Sequence, residues 1–126
     1  TAAYARLSAP MQGFLESLTA MHSWGISDPE ADPVEHPVIM VDPDTGTKSL
    51  YVNQLYTSHI VGLKREESDL LLTYLYQQTQ VPELQLRVSW DTGTLTIWDH
   101  AKTQHYLVRD QAADRTMHRV MVCTGR

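Results

Sequence analysis

Apolar positions recur at helical spacing in two places along the chain and at alternate positions in several others. Met11, Phe14, Leu15 and Leu18 follow Ser8, a natural N-cap, and Pro10, a residue suited to a first helical turn. This predicts an N-terminal helix, weakened slightly by Gly13. Met21 to Glu35 contains Gly25, Pro29, Pro33 and several acidic residues and reads as a loop. From His36 the pattern becomes strand-like. Val38–Val41 and Leu50–Val52 flank Asp42-Pro43-Asp44-Thr45-Gly46-Thr47, a turn by composition, and predict a hairpin. Tyr56–Val61 predicts another short strand. Glu66, Glu67 and Asp69 then open a second helix, with Leu71, Leu72, Leu75 and Tyr76 among its apolar positions. Lys64 stands at its cap position, a poor capping residue.

The remainder alternates with period two. Leu84, Leu86, Val88 and Trp90 share one face, Asp91-Thr92-Gly93 turns the chain, and Leu95 and Ile97 alternate with Thr94, Thr96 and Trp98. Val120 and Val122 alternate with Arg119, Met121 and Cys123. Two helices among antiparallel hairpins predict a mainly β fold, a sandwich or barrel with flanking helices.

The 126 residues suit one domain with a modest core. No apolar run is long enough to span a membrane, and Thr1–Arg6 lacks the layout of a secretory signal. The single cysteine, Cys123, cannot form an internal disulfide, which fits a cytoplasmic setting. A net charge of −5 argues against a nucleic-acid partner. Its distribution is uneven. Residues 100–126 carry Lys102, Arg109, Arg115, Arg119 and Arg126 against Asp110 and Asp114, so they are cationic on an acidic body, an arrangement that suits a small anionic ligand.

That cationic segment holds the candidate chemistry. His105 lies ten residues before Arg115, and Arg119 follows four later. By residue type alone His105 fits a hydrogen-bonded structural role better than a ligand's. None of the six histidines begins an H-x-D or H-x-E triplet, so no second ligand stands beside one of them as a facial triad requires. If Arg115 and Arg119 share one strand, both side chains return to the same face, with Cα atoms about 13 Å apart at ~3.3 Å per residue. Each guanidinium could then grip a separate acid group with its planar fork.

Trp98-Asp99-His100 and Thr103-Gln104-His105-Tyr106, with Met117-His118-Arg119, resemble the C-terminal signature of the taurine dioxygenase family. The resemblance extends over nearly the whole chain. It includes Ala2-Ala3-Tyr4, Leu7-Ser8-Ala9-Pro10, His36-Pro37-Val38-Ile39, Leu50-Tyr51-Val52-Asn53, Ile60-Val61-Gly62-Leu63 and Glu66-Glu67-Ser68-Asp69. It implies an Fe(II)- and 2-oxoglutarate-dependent dioxygenase that uses O2 to hydroxylate a small anion, an alkylsulfonate such as taurine or an alkyl sulfate. Residues 1–126 would be the C-terminal part of one catalytic domain. The implied fold is a partial double-stranded β-helix (jelly-roll) lacking its N-terminal strands.

Residue by residue, His105 is similar to the family's C-terminal iron ligand, and Arg115 to the arginine that binds 2-oxoglutarate. Arg119 is similar to the arginine that meets the substrate's acid group. Tyr56 falls where an aromatic side chain lies near the substrate. The H-x-D strand that completes the iron site would lie upstream of Thr1. The chain departs from the family pattern at His100 for asparagine, Ala101 for arginine, His59 for arginine and Thr94 for aspartate.

The competing expectation is a non-catalytic half-barrel that binds anions or partners. Incomplete sheet edges favour association, and a homo-oligomer is expected. A hydrolase built on Cys123 has no evident base to support it.

Overall fold

The two-residue link of Ser17 and Leu18 explains how the chain organises itself, because it turns a helix directly into the central strand of a sheet. The computed structural model describes residues 1–24, 30–108 and 116–122. Helix α1 (Ala2–Ala5) and helix α2 (Ala9–Glu16) come first. Ser8 is the N-cap of α2 and Pro10 lies in its first turn, as the pattern predicted. Leu15 is fully buried, while Phe14, on the same predicted stripe, is exposed.

Strand β1 (Thr19–His22) follows at once. It pairs antiparallel with β2 (Val34–Pro37) on one side and β5 (Thr57–Ile60) on the other. The loop expected over Met21–Glu35 is therefore shorter than its composition suggested, since both of its ends are hydrogen-bonded strands. The cause is non-local: Ala20 faces His36 and Ile60, partners far away in sequence. The β1–β5 register shifts between Met21 and His22.

Strands β3 (Ile39–Val41) and β4 (Lys48–Leu50) form the expected hairpin as a second, two-stranded sheet. Its turn is built by Asp42. One carboxylate oxygen accepts hydrogen bonds from the Asp44 and Thr45 N–H groups at 3.0 and 2.7 Å and from the Thr45 hydroxyl. Gly46 takes the positive φ of 69° that closes such a turn. Buried Val38 joins the two sheets: its N–H donates to Leu18 C=O at 3.0 Å and its C=O accepts from Tyr51 N–H at 2.8 Å.

Helix α3 (Arg65–Thr79) packs Leu72 and Leu75 against Ile60 and the rest of the core. Lysine has no acceptor to cap a helix. Glu67 compensates by accepting the Lys64 N–H at 3.0 Å. Ser68, buried on this helix, accepts the Ile60 N–H at 2.9 Å.

Beyond a short 3-10 turn (Pro82–Leu84), the alternating segments behave differently from expectation. The turn at Asp91 forms: Thr94 N–H donates to Asp91 C=O at 3.0 Å, and Gly93 has φ of 86°. The strands expected over Leu84–Trp90, Thr94–Trp98 and Arg119–Val122 are absent among the described residues. Leu86, Ile97 and Val122 are 87%, 86% and 89% exposed. A period-two pattern makes a strand only when a neighbour supplies the ladder, and no described strand lies alongside. Among the described residues, no helix is long and apolar enough to cross a membrane.

Candidate functional site

His105 sits in an irregular segment, and this segment is fixed to the sheets at two points. The Gln104 side-chain amide donates to the Val52 C=O just after β4. Lys102 pairs with Asp42, at the hairpin turn, and with Asp99 at 3.3 Å. The Lys102 hydrogen bond first, and the Thr45 bonds second, hold the Asp42 carboxyl far below the ordinary carboxylate range. The same Asp42 contact raises the Lys102 pKa. One aspartate therefore organises the β3–β4 turn and anchors the segment bearing His105. Beside this clasp lies a cavity of ≈ 190 Å³ lined by residues that include Met40, Tyr51, Ala101 and Lys102.

Aromatic groups flank His105. The Trp98 ring lies 5.0 Å from it between centroids, tilted by 57°, and the His100 ring 6.3 Å away. The imidazole is exposed, so its desolvation is partial. That desolvation nonetheless leads the lowering of its pKa, followed by the positive charge of Arg119 and by His100. The Arg119 charge is thus close enough to act on His105. A lowered pKa keeps the ring neutral at pH 7, the form whose nitrogen lone pair can bind a metal.

Arg119 lies in an exposed, non-strand stretch, its guanidinium 3.7 Å from the Met121 sulfur. The shared strand face expected for Arg115 and Arg119 does not form over the described residues 116–122. Arg115 itself lies outside the described residues, as does Cys123.

Tyr56 is half-buried immediately before β5. Its N–H donates to Asn53 C=O at 3.3 Å and its C=O accepts from Ser23 N–H at 2.9 Å. Asn53 adjoins Val52, the acceptor of the Gln104 side chain. Tyr56 also meets Trp24, with ring centroids 5.4 Å apart and planes at 60°.

A second cluster lies between the two sheets. His22, His36 and Tyr51 pack with centroid separations of 5.2 to 5.6 Å. Burial first, and His36 second, lower the His22 pKa. Among the described residues, no three His, Cys, Asp or Glu side chains converge as a metal site. Trp24 carried no sequence signal of its own, and the anchoring contacts of Gln104 and Lys102 carried none. Only the fold shows what they touch.

The family model described as "Taurine catabolism dioxygenase TauD, TfdA family" matches residues 1–121. An alpha-ketoglutarate-dependent sulfonate dioxygenase of Saccharomyces cerevisiae is 38% identical over 123 residues, covering 86% of this chain and 29% of its own length. An alkylsulfatase of Acinetobacter baylyi is 32% identical over 143 residues, covering 98% of this chain and 45% of its own. The crystal structure of a taurine dioxygenase from Burkholderia xenovorans superposes with a TM-score of 0.65 at 36% identity, over 71% of this chain and 31% of that one. The chain spans less than half the length of these relatives.

Proposed function

Because the chain belongs to the taurine catabolism dioxygenase family, we propose that it forms the C-terminal part of one Fe(II)- and 2-oxoglutarate-dependent dioxygenase domain. The substrate we propose is a small organic anion, an alkylsulfonate or alkyl sulfate. The relatives named as a sulfonate dioxygenase and an alkylsulfatase support that class. The observation that carries the reading is the family match over residues 1–121, a span that includes both His105 and Arg119.

The donor chemistry fits iron in part. His105 offers one neutral imidazole, and the other two ligands of the facial triad would be those of the family's H-x-D strand. Bound there, iron with 2-oxoglutarate supplies the oxidising chemistry, turning 2-oxoglutarate and O2 into succinate and CO2 as a substrate carbon is hydroxylated.

This chain's residues would bind and orient. Arg115 would hold the distal carboxylate of 2-oxoglutarate, and Arg119 the sulfonate or sulfate, each through two charge-assisted hydrogen bonds. Tyr56 would flank the substrate's carbon skeleton. Hydroxylation of the carbon next to the sulfonate or sulfate group gives a product that collapses to an aldehyde and sulfite or sulfate. In this reading the two small sheets belong to a double-stranded β-helix, and the exposed faces of Leu86, Ile97 and Val122 await its remaining strands. The protein would act in the cytoplasm as a homo-oligomer.

The test supplies Fe(II), 2-oxoglutarate and a panel of alkylsulfonates and alkyl sulfates to a protein that carries the upstream H-x-D strand together with this chain, and measures succinate together with sulfite or sulfate. Succinate that depends on the anion, and is lost in His105→Ala, is the expected result. Absence of succinate with every anion would leave the non-catalytic anion-binding module as the better account.

A further inference from the structure

We infer that His22 is a positioning residue: through Thr57 it holds the turn that carries Tyr56, and it releases that turn when its ring takes up a proton. The bearing of this hold on catalysis rests on the proposed placement of Tyr56 beside the substrate. The hold itself does not.

His22 ends β1, beside the first residues of β2 and β5, Val34 and Thr57. The register shift between Met21 and His22 sets this end apart from the rest of the ladder, so it can open alone. The buried Thr57 hydroxyl closes it, 3.4 Å from the His22 Nε2. The same oxygen accepts the Asn53 N–H at 2.8 Å, and the Thr57 N–H donates back to the Asn53 C=O at 2.8 Å. Tyr56 N–H bonds to that carbonyl too, and Tyr56 C=O accepts the Ser23 N–H as the last rung of the sheet. With its oxygen engaged by Asn53, the Thr57 hydroxyl has one proton to give. Only a neutral imidazole has a bare nitrogen to accept it.

The surroundings of His22 oppose a charge. From β2 it meets Val34 and the His36 ring, 5.2 Å away between centroids. From the chain after β4 the Tyr51 ring stacks on it at 5.6 Å. From β5 it meets Thr57, whose C=O accepts the Tyr76 hydroxyl of α3 at 3.4 Å. Glu35 and His59 align with Met21 and so belong to the opposite face of the sheet. Burial first, and His36 second, hold the ring below its ordinary pKa of 6.5. A ring freed into water titrates at the ordinary value, so opening recovers the cost of the charge. Closure is therefore complete above pH 6.5 and weakens as pH falls towards the closed value.

Hydrogen exchange resolved to single amides tests the hold, in a protein that carries the upstream H-x-D strand together with this chain. Rates are corrected for the intrinsic effect of pH. From about pH 7.5 to about pH 5.5, protection at Ser23, Tyr56 and Thr57 should fall by about threefold or more. Val38 and Ile60, whose N–H groups bond to Leu18 C=O and the Ser68 hydroxyl, should change by less than about twofold. His22→Gln, which does not titrate, should flatten the response. Thr57→Val should leave the three amides poorly protected even at the higher pH. His36→Gln should weaken the response without abolishing it, and it also serves if the His22 variant folds poorly. An equal loss at all five amides would mean that the whole fold opens, and would overturn the inference. So would an unchanged response in His22→Gln, or full protection in Thr57→Val. Over the same pH range KM for the anion should rise in the unmodified protein and not in His22→Gln. A released turn with an unchanged KM would remove the positioning role. Failure to oxidise any anion would remove the proposed function, while the exchange measurement still decides the hold.

Discussion

The Gln104 side chain donates a hydrogen bond to the backbone carbonyl of Val52, joining two residues 52 positions apart. Val52 is almost wholly buried and continues from β4, so the bond ties the residue beside His105 to the rigid part of the fold.

Removing that tie should loosen His105 more than it destabilises the protein. Gln104→Ala should cost only about 0.5–1.5 kcal/mol of stability, as a partly exposed hydrogen bond does. In a protein that also carries the H-x-D strand, its effect on metal affinity should be larger than on the thermal midpoint. Titration with Mn(II), followed by electron paramagnetic resonance beside a melting curve, checks this. A variant with unchanged metal affinity would show that the tie does not position His105.

The Lys102 clasp should reveal itself through salt. The ammonium bridges two carboxylates on different parts of the fold, and salt screens an accessible cluster of this kind. The melting temperature of the unmodified protein should fall as salt is raised, whereas Lys102→Met should start lower and respond less. Melts at low and high ionic strength measure the difference. Equal salt responses would exclude the clasp as a stabilising contact.

Ser68→Ala should be costly for so small a change. It leaves the buried Ile60 N–H without the acceptor it has at 2.9 Å, a loss of about 1–3 kcal/mol. Urea unfolding gives the value directly. A change below a few tenths of a kcal/mol would mean that water or a backbone shift restores the bond.

His22 should make stability depend on pH. Its folded pKa lies below the ordinary 6.5, chiefly through burial and secondly through His36. Between those two values the unfolded chain binds more protons than the folded one. This contribution to stability is therefore complete above pH 6.5 and is lost as pH falls towards the folded value. His22→Phe should remove the contribution of this group, which unfolding curves collected above and below that pH will show. An identical pH slope in the variant would assign the dependence elsewhere.

The two arginines should separate kinetically. In a complete enzyme that carries the H-x-D strand, Arg115→Ala should raise the 2-oxoglutarate requirement whichever anion is oxidised. Arg119→Ala should instead weaken the anion and uncouple succinate formation from its oxidation. Each loss should amount to roughly 2–5 kcal/mol, about thirtyfold or more in affinity, if the acid group is buried when bound. Lysine should restore neither fully, since it lacks the planar fork. Steady-state kinetics with each ligand varied in turn decide the matter, and effects of both variants on the same ligand would refute the division.

The sequence by itself determined what a few neighbouring residues can enforce. Ser8 and Pro10 start α2, Asp42 and Gly46 shape the β3–β4 turn, Gly93 permits the turn after Asp91, and the spacing of Leu72 and Leu75 yields α3. Each signal acts within one turn of chain, so its outcome can be read locally. The taurine dioxygenase signature was legible for the same reason, being a short string of residue types around His105. Tertiary structure decided the rest. Nothing near Ala20 indicates that it will face both His36 and Ile60, because strand pairing joins distant segments. The alternation of Leu86, Leu95 and Ile97 was real, yet a period-two pattern encodes a face and not a partner, and without a ladder it forms no strand here. The anchoring of His105 through Gln104 and Lys102, and the meeting of Trp24 with Tyr56, exist only because folding carries remote groups to within contact distance.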